Sequence, residues 1–180
     1  MSRYVFLDRD GTLVHDRGYT HRLSDYRLLD GVAEGLSLLQ SAGYRLAIVT
    51  NQSGIGRGLY TSDDFQDFQA LLTRDLAARG VSIGAQYFCP HRPDEGCECR
   101  KPQPGLIRRA CAELGASPGE SWMVGDSETD MQLADRAGLR GGVLVLTGHG
   151  VRARGRLRAE VPAAEDLTAA ARYILSAEES

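Results

Sequence analysis

Tyr4-Val5-Phe6-Leu7-Asp8-Arg9-Asp10-Gly11-Thr12 is the stretch that decides the fold. Four apolar residues run into two aspartates one residue apart, and then a glycine. In an extended backbone, side chains at i and i+2 share a face, so Asp8 and Asp10 are expected to converge at the end of a buried strand. Two carboxylates that close repel and lose hydration unless a cation or a catalytic role compensates. An Asp-Gly pair after an apolar run also reads as a hairpin turn. The rest of the chain speaks against the hairpin, because two further apolar runs end in polar residues. Leu46-Ala47-Ile48-Val49 enters Thr50-Asn51-Gln52, and Trp122-Met123-Val124 enters Gly125-Asp126.

Between these runs the hydrophobic periodicity predicts helices. Val32, Leu36 and Leu39 mark one over 31–42, with Gly43 just past its end. Thr61 or Ser62 caps a second, whose stripe is Phe65, Phe68, Leu72 and Leu76 and which Gly80 ends. Pro104 opens a third, carrying Leu106, Ile107, Ala110 and Leu114. A fourth covers 129–137 before Gly138, and an amphipathic helix over 164–177 closes the chain. Residues 14–29, 51–58 and 89–101 read as loops, 86–88 as a short strand, and 143–146 as the last strong strand. The arginines at 152, 154, 156 and 158 read as a solvated loop.

Strands alternating with helices predict an α/β fold, a parallel sheet with helices on both faces. Ligands bind such sheets beyond the carboxyl ends of the strands, where Asp8, Asp10, Thr50, Asn51 and Asp126 all fall.

The chain of 180 residues has the length of one domain and is read as one over 1–180. Charged residues make up 25% and hydrophobic residues 42%, as in an ordinary globular protein. A net charge of −3 argues against nucleic acid as a partner. No apolar run is long enough to span a membrane, and the first residues hold no apolar signal segment. A cytoplasmic protein is therefore expected, whose four cysteines are ligands or core residues rather than disulfides.

Three carboxylates and no histidine at strand ends suit a hard cation such as Mg²⁺, which keeps several waters and is often found beside phosphate. Thr50 and Asn51 offer donors to anionic oxygens, and Lys101 offers a point charge. A carboxylate nucleophile with a second carboxylate as proton carrier can run phosphoryl transfer. Farther along, Cys89-x-His91-x5-Cys97-x-Cys99 supplies three thiols and an imidazole, a set that suits a closed tetrahedral Zn²⁺ site. A cysteine-rich loop without metal is the alternative. Its Pro90, Pro93, Asp94, Glu95 and Gly96 provide no apolar anchor. Cys111 reads as core.

The set Asp8-x-Asp10-Gly11-Thr12, Thr50-Asn51, Lys101 and Gly125-Asp126-x3-Asp130 resembles the four motifs of the haloacid dehalogenase superfamily of phosphohydrolases. The resemblance implies a Rossmann-like parallel sheet with Asp8 as nucleophile and Asp10 as general acid/base. It implies Mg²⁺ held by the Asp8 carboxylate, the Asp10 carbonyl and Asp126, with Asp130 supporting from behind. Thr50 and Lys101 would hold the transferring phosphoryl group. With Cys99-Arg100-Lys101-Pro102, the chain is similar to a capless, zinc-bearing branch that includes heptose-bisphosphate phosphatases and histidinol phosphatases.

Gly18-Tyr19 and the run Asn51-Gln52-Ser53-Gly54-Ile55-Gly56-Arg57-Gly58 look like the heptose group. The five residues between His91 and Cys97 look more like the histidinol group. What this implies is a phosphatase of a small sugar phosphate, a heptose 1,7-bisphosphate in ADP-heptose precursor synthesis, with histidinol phosphate as the alternative; a monomer is expected. The expected substrate contacts are Asp16, Arg17, Gly18, Tyr19, Asn51, Gln52, Ser53, Arg57 and Arg100. Arg100, or else Arg57, would meet the second phosphate of a bisphosphate.

Overall fold

A computed structural model describes residues 2–178. Six parallel strands form one sheet in the order β3-β2-β1-β4-β5-β6. They are β1 (Tyr4–Leu7), β2 (Arg45–Asn51), β3 (Ile83–Cys89), β4 (Trp122–Gly125), β5 (Gly141–Val145) and β6 (Ala163–Ala164). The helices are α1 (Val32–Ser41), α2 (Ser53–Gly56), α3 (Ser62–Ala78), α4 (Gly105–Leu114), α5 (Glu128–Arg136), α6 (Gly150–Arg154) and α7 (Leu167–Ser176).

The strand alternation sorts the core into two layers. Val5, Leu7, Leu46, Ile48, Val124 and Val143 face α1, α3 and α7. Phe6, Ala47, Val49, Tyr87 and Met123 face α4 and α5. Strands buried on both faces read as continuous apolar runs, which is why β1, β2 and β4 are plain in the sequence. Thr61 and Ser127 cap α3 and α5 with full capping boxes, each closed by an aspartate three residues on.

The strand order reverses at β1, with β2 on one side and β4 on the other. That switch point puts the carboxyl ends of β1, β2 and β4 around one crevice.

Four expectations need correcting. The loop after β2 contains the single-turn helix α2. Strand β3 runs seven residues rather than three, because its paired backbone tolerates the exposed Gly84 and the half-buried Gln86 and Phe88. Arg152 and Arg154 lie on the short helix α6, not in a loop, and Arg154 donates to the carbonyls of Arg158, Ala159 and Val161, curling the chain beyond. The last helix begins at Leu167, after Asp166 caps it, and Ala164 instead pairs in β6.

Candidate active site

Asp8 follows β1, and its N–H is held by the Val124 carbonyl at 2.9 Å. Lys101 reaches over from the loop before α4. Its Nζ lies 2.7 Å from Asp8 Oδ1, 2.7 Å from Asp130 Oδ1 and 3.0 Å from the Val49 carbonyl. Burial works against the Lys101 charge, but Asp130 and Asp8 outweigh it and hold the ammonium above its usual value. Asn51 clamps the Lys101 peptide from both sides: its amide nitrogen donates to the Lys101 carbonyl and its oxygen accepts the Lys101 N–H. This aims the ammonium.

Asp126 lies beyond β4. Burial raises its carboxyl, the Asp8 charge raises it further, and the His149 N–H, 2.7 Å away, offsets part of this. Asp130 is likewise raised by burial and lowered by Lys101. Ser127 donates to it at 2.5 Å. The carboxylates of Asp8, Asp126 and Asp130 offer ligand atoms within 4.8 Å of one another. An all-oxygen set of this kind, with the Asp126 and Asp130 carboxyls raised by burial and by the Asp8 charge, fits a hard divalent cation. Two glycines make room for it. A Cβ on Gly11 would lie 2.1 Å from Asp126 Oδ2, and one on Gly148 would lie 2.2 Å from it.

Asp10 points from the same strand end. Burial raises its carboxyl, and Arg9 pulls it back down. Gln52 donates to Asp10 Oδ2 at 2.8 Å and to Thr50 Oγ1 at 3.0 Å. A cavity of about 350 Å³ opens over these groups. Asp8, Asp10, Asp16, Thr50, Asn51, Ser53, Arg100, Lys101 and Asp126 line it. So do Ser127, Thr129 and His149, which sequence reasoning missed. The signal for His149 is its place between Gly148 and Gly150, just past β5 at the same sheet end. His149 Nε2 meets Asp16 Oδ2 at 3.2 Å, closing the polar flap around residues 16–20 onto the cavity.

Other expected contacts stand elsewhere. Arg17, Gly18, Tyr19 and Arg57 are exposed outside the cavity lining, and Gln52 is buried behind Asp10. One nitrogen of Arg100, Nη1, is buried without a partner, a donor in want of an acceptor.

Cys89, His91, Cys97 and Cys99 converge in a second cluster. Their sulfurs lie 3.1–3.5 Å apart, and His91 Nδ1 is 3.2 Å from Cys99 Sγ. All four cysteines of the chain are free thiols. A tetrahedron of thiolates about 2.3 Å from a metal would have edges of roughly 3.8 Å, so this set can hold one ion. The loop is tied to its neighbours as well. Gln52 N–H donates to the Cys89 carbonyl, Gly56 N–H to Pro90 and Gly105 N–H to Glu98.

A strand-end carboxylate pair, a buried lysine and a third strand-end aspartate on a parallel sheet define a phosphatase of the HAD-like class. A HAD-hydrolase-like family model matches residues 98–170. The chain is 44% identical over 163 residues to the D-glycero-beta-D-manno-heptose-1,7-bisphosphate 7-phosphatase of Yersinia pestis, covering 87% of each protein. It is 47% identical over 136 residues to a probable enzyme of that name from Thermoplasma acidophilum, covering 75% of this chain and 85% of the relative. The crystal structure of D,D-heptose 1,7-bisphosphate phosphatase from B. bronchiseptica, complexed with magnesium and phosphate, superposes with a TM-score of 0.90. It is 32% identical, and the match covers 97% of this chain and 99% of that one. The chain belongs to the D-glycero-D-manno-heptose-1,7-bisphosphate 7-phosphatase family.

Proposed function

We propose that this chain removes the 7-phosphate of D-glycero-D-manno-heptose 1,7-bisphosphate, in ADP-heptose precursor synthesis, through an aspartyl-phosphate on Asp8. The observation that carries the chemistry is the buried Lys101 ammonium between Asp8 and Asp130, at the mouth of a cavity that also holds Asp10, Thr50 and Asp126. The substrate rests on the names of the relatives.

In this reading an Asp8 oxygen attacks phosphorus and the sugar oxygen leaves, taking a proton from Asp10. Asp10 then takes a proton from the water that hydrolyses the aspartyl-phosphate, releasing phosphate and restoring Asp8. Lys101 and the Thr50 hydroxyl hold the phosphoryl oxygens as charge shifts. The Asp8 carboxylate, the Asp10 carbonyl and Asp126 would hold Mg²⁺, which when bound neutralises phosphoryl charge. Asp130 supports from behind by fixing Lys101. Asp16, Ser53 and Arg100 face the sugar and its second phosphate, with Arg17 to Tyr19 and Arg57 at the outer rim. Zn²⁺ in the cysteine-histidine cluster is structural, since four protein ligands leave no open position.

The chain acts as a single domain and a monomer. Among the described residues no helix is long and apolar enough to cross a membrane. The free thiols accord with a cytoplasmic enzyme.

The test is kcat/KM, with Mg²⁺, for both anomers of the heptose bisphosphate and for histidinol phosphate. A bisphosphate should lead, and Asp8→Asn should abolish turnover while the chain stays folded. Faster turnover of histidinol phosphate would overturn the substrate, and an active Asp8→Asn the nucleophile.

A further inference from the structure

Arg9 stands between the two motif aspartates, yet none of its side chain reaches solvent. Strand alternation turns it away from the cavity and under α3, where its guanidinium carbon lies 5.3 Å and 4.7 Å from the ring centres of Phe65 and Phe68. A cation in such a place must be paired. The ion pair recorded for it is with Asp10. Nε lies 3.1 Å and Nη2 2.9 Å from both carboxylate oxygens. The rest of the fork is also spoken for. Nη2 donates to the Thr20 carbonyl at 2.5 Å and to Gln52 Oε1 at 3.2 Å, and Nη1 faces Gln69 Oε1 at 3.4 Å. Gln52 is itself fixed, because Tyr60 donates to the same Oε1 at 2.5 Å.

We propose that Arg9 is the positioning residue for Asp10: its buried fork fixes the plane of that carboxyl against the cavity, so that one group can serve both proton transfers. The idea rests on Asp10 being the general acid/base. A carboxyl on a free bond rotates, and a proton carried on the wrong oxygen misses the departing ester oxygen. Here the guanidinium crosses the carboxyl, Nε and Nη2 each meeting both oxygens, and the Gln52 amide holds Oδ2. The guanidinium is locked in turn by two rings, two glutamines and the flap carbonyl of Thr20. Arg9 touches no reacting atom and acts through Asp10 alone.

The experiment is a double-mutant cycle on phosphate release, using whichever phosphomonoester the wild type turns over fastest. The four proteins are wild type, Arg9→Met, Asp10→Asn and the double variant. Asp10→Asn is expected to lose about 10²–10⁴-fold in kcat, the usual contribution of a proton-transfer group. Arg9→Met is expected to lose about 10–10²-fold in kcat with KM unchanged, and to cost nothing further in the Asp10→Asn background. Arg9→Lys should recover little, since one ammonium cannot fix a plane. Losses that multiply in the double variant, or a fall through KM alone, would make Arg9 a packing residue and overturn the proposal. Full activity of Asp10→Asn would instead sink the acid/base assignment, and the proposal with it. Should Arg9→Met fail to fold by circular dichroism, Gln52→Met enters the same cycle. A 3–10-fold kcat loss that vanishes beside Asp10→Asn supports the proposal; a multiplicative loss overturns it.

Discussion

Replacing Lys101 with Met removes the one ammonium that the structure sets between Asp8 and Asp130. Each contact is 2.7 Å long. At an effective dielectric of about 20, a pair at that distance attracts by about 6 kcal/mol before desolvation. Sparing the lysine its own desolvation returns much of this, so the net loss is about 3–5 kcal/mol, as when one partner of a buried pair is deleted. For a chain of this size that lowers the melting temperature by roughly 6–20 °C. The loss has a pH signature. Asp126 and Asp130 already sit above the usual carboxylate range, Asp126 pushed up by burial and Asp8, Asp130 by burial against Lys101. Without Lys101 they rise further. The folded variant then holds more protons than its unfolded chain, so its stability falls as pH rises through the raised values. The deficit should be smallest near pH 5 and still growing at pH 8, since Asp126 is already pushed up to about 8 in the wild type. Mg²⁺ at about 100 times its Kd returns about 2.7 kcal/mol to either protein. Scanning calorimetry at both pH values, with and without Mg²⁺, reads all of this. A variant melting within about 1 °C of wild type at pH 8 without Mg²⁺ would show that Lys101 does not neutralise the cluster.

Cys97→Ser should purify without the single zinc per chain expected of the wild type, and metal analysis of fresh, reduced protein decides it. Zinc absent from the wild type would end the metal reading of that loop. Gly148→Ala should weaken Mg²⁺ binding and cost about 1–3 kcal/mol, because its Cβ would press on Asp126 Oδ2 at a backbone φ of +53°; titration calorimetry measures the first and urea unfolding the second. Arg100→Ala should lower kcat/KM for the bisphosphate by about 1–3 kcal/mol and for a monophosphate by less, since its buried, unpartnered nitrogen lines the cavity. Equal losses on both substrates would deny it the second phosphate.

The central strands and the strand-end carboxylates were legible because buried parallel strands leave apolar runs that stop at polar ends; the strand order was not. Helices α2 and α6 were not: a single turn carries no periodicity to read. Strand β3 hid because its half-exposed residues break the apolar run. Arg9 passed as the spacer of an Asp-x-Asp pair, since only the tertiary position of α3 shows what its side chain meets. His149 lies on a glycine-flanked turn whose approach to Asp126 depends on β5 being next to β4. Asn51 was read as facing substrate, and it does line the cavity; that its amide also holds the Lys101 backbone shows only in the fold.

Strand β1 lies between β2 and β4, and its second neighbour begins only at Trp122. On a translating ribosome adding about 5–20 residues per second, some 70 residues separate the end of β2 from the start of β4, roughly 4–14 s. Throughout that interval one edge of Val5-Phe6-Leu7 has no strand to pair with, although it is among the most apolar segments in the chain. The nascent chain thus carries its future nucleophile at the end of an unpaired border until Trp122–Gly125 emerges and closes the sheet.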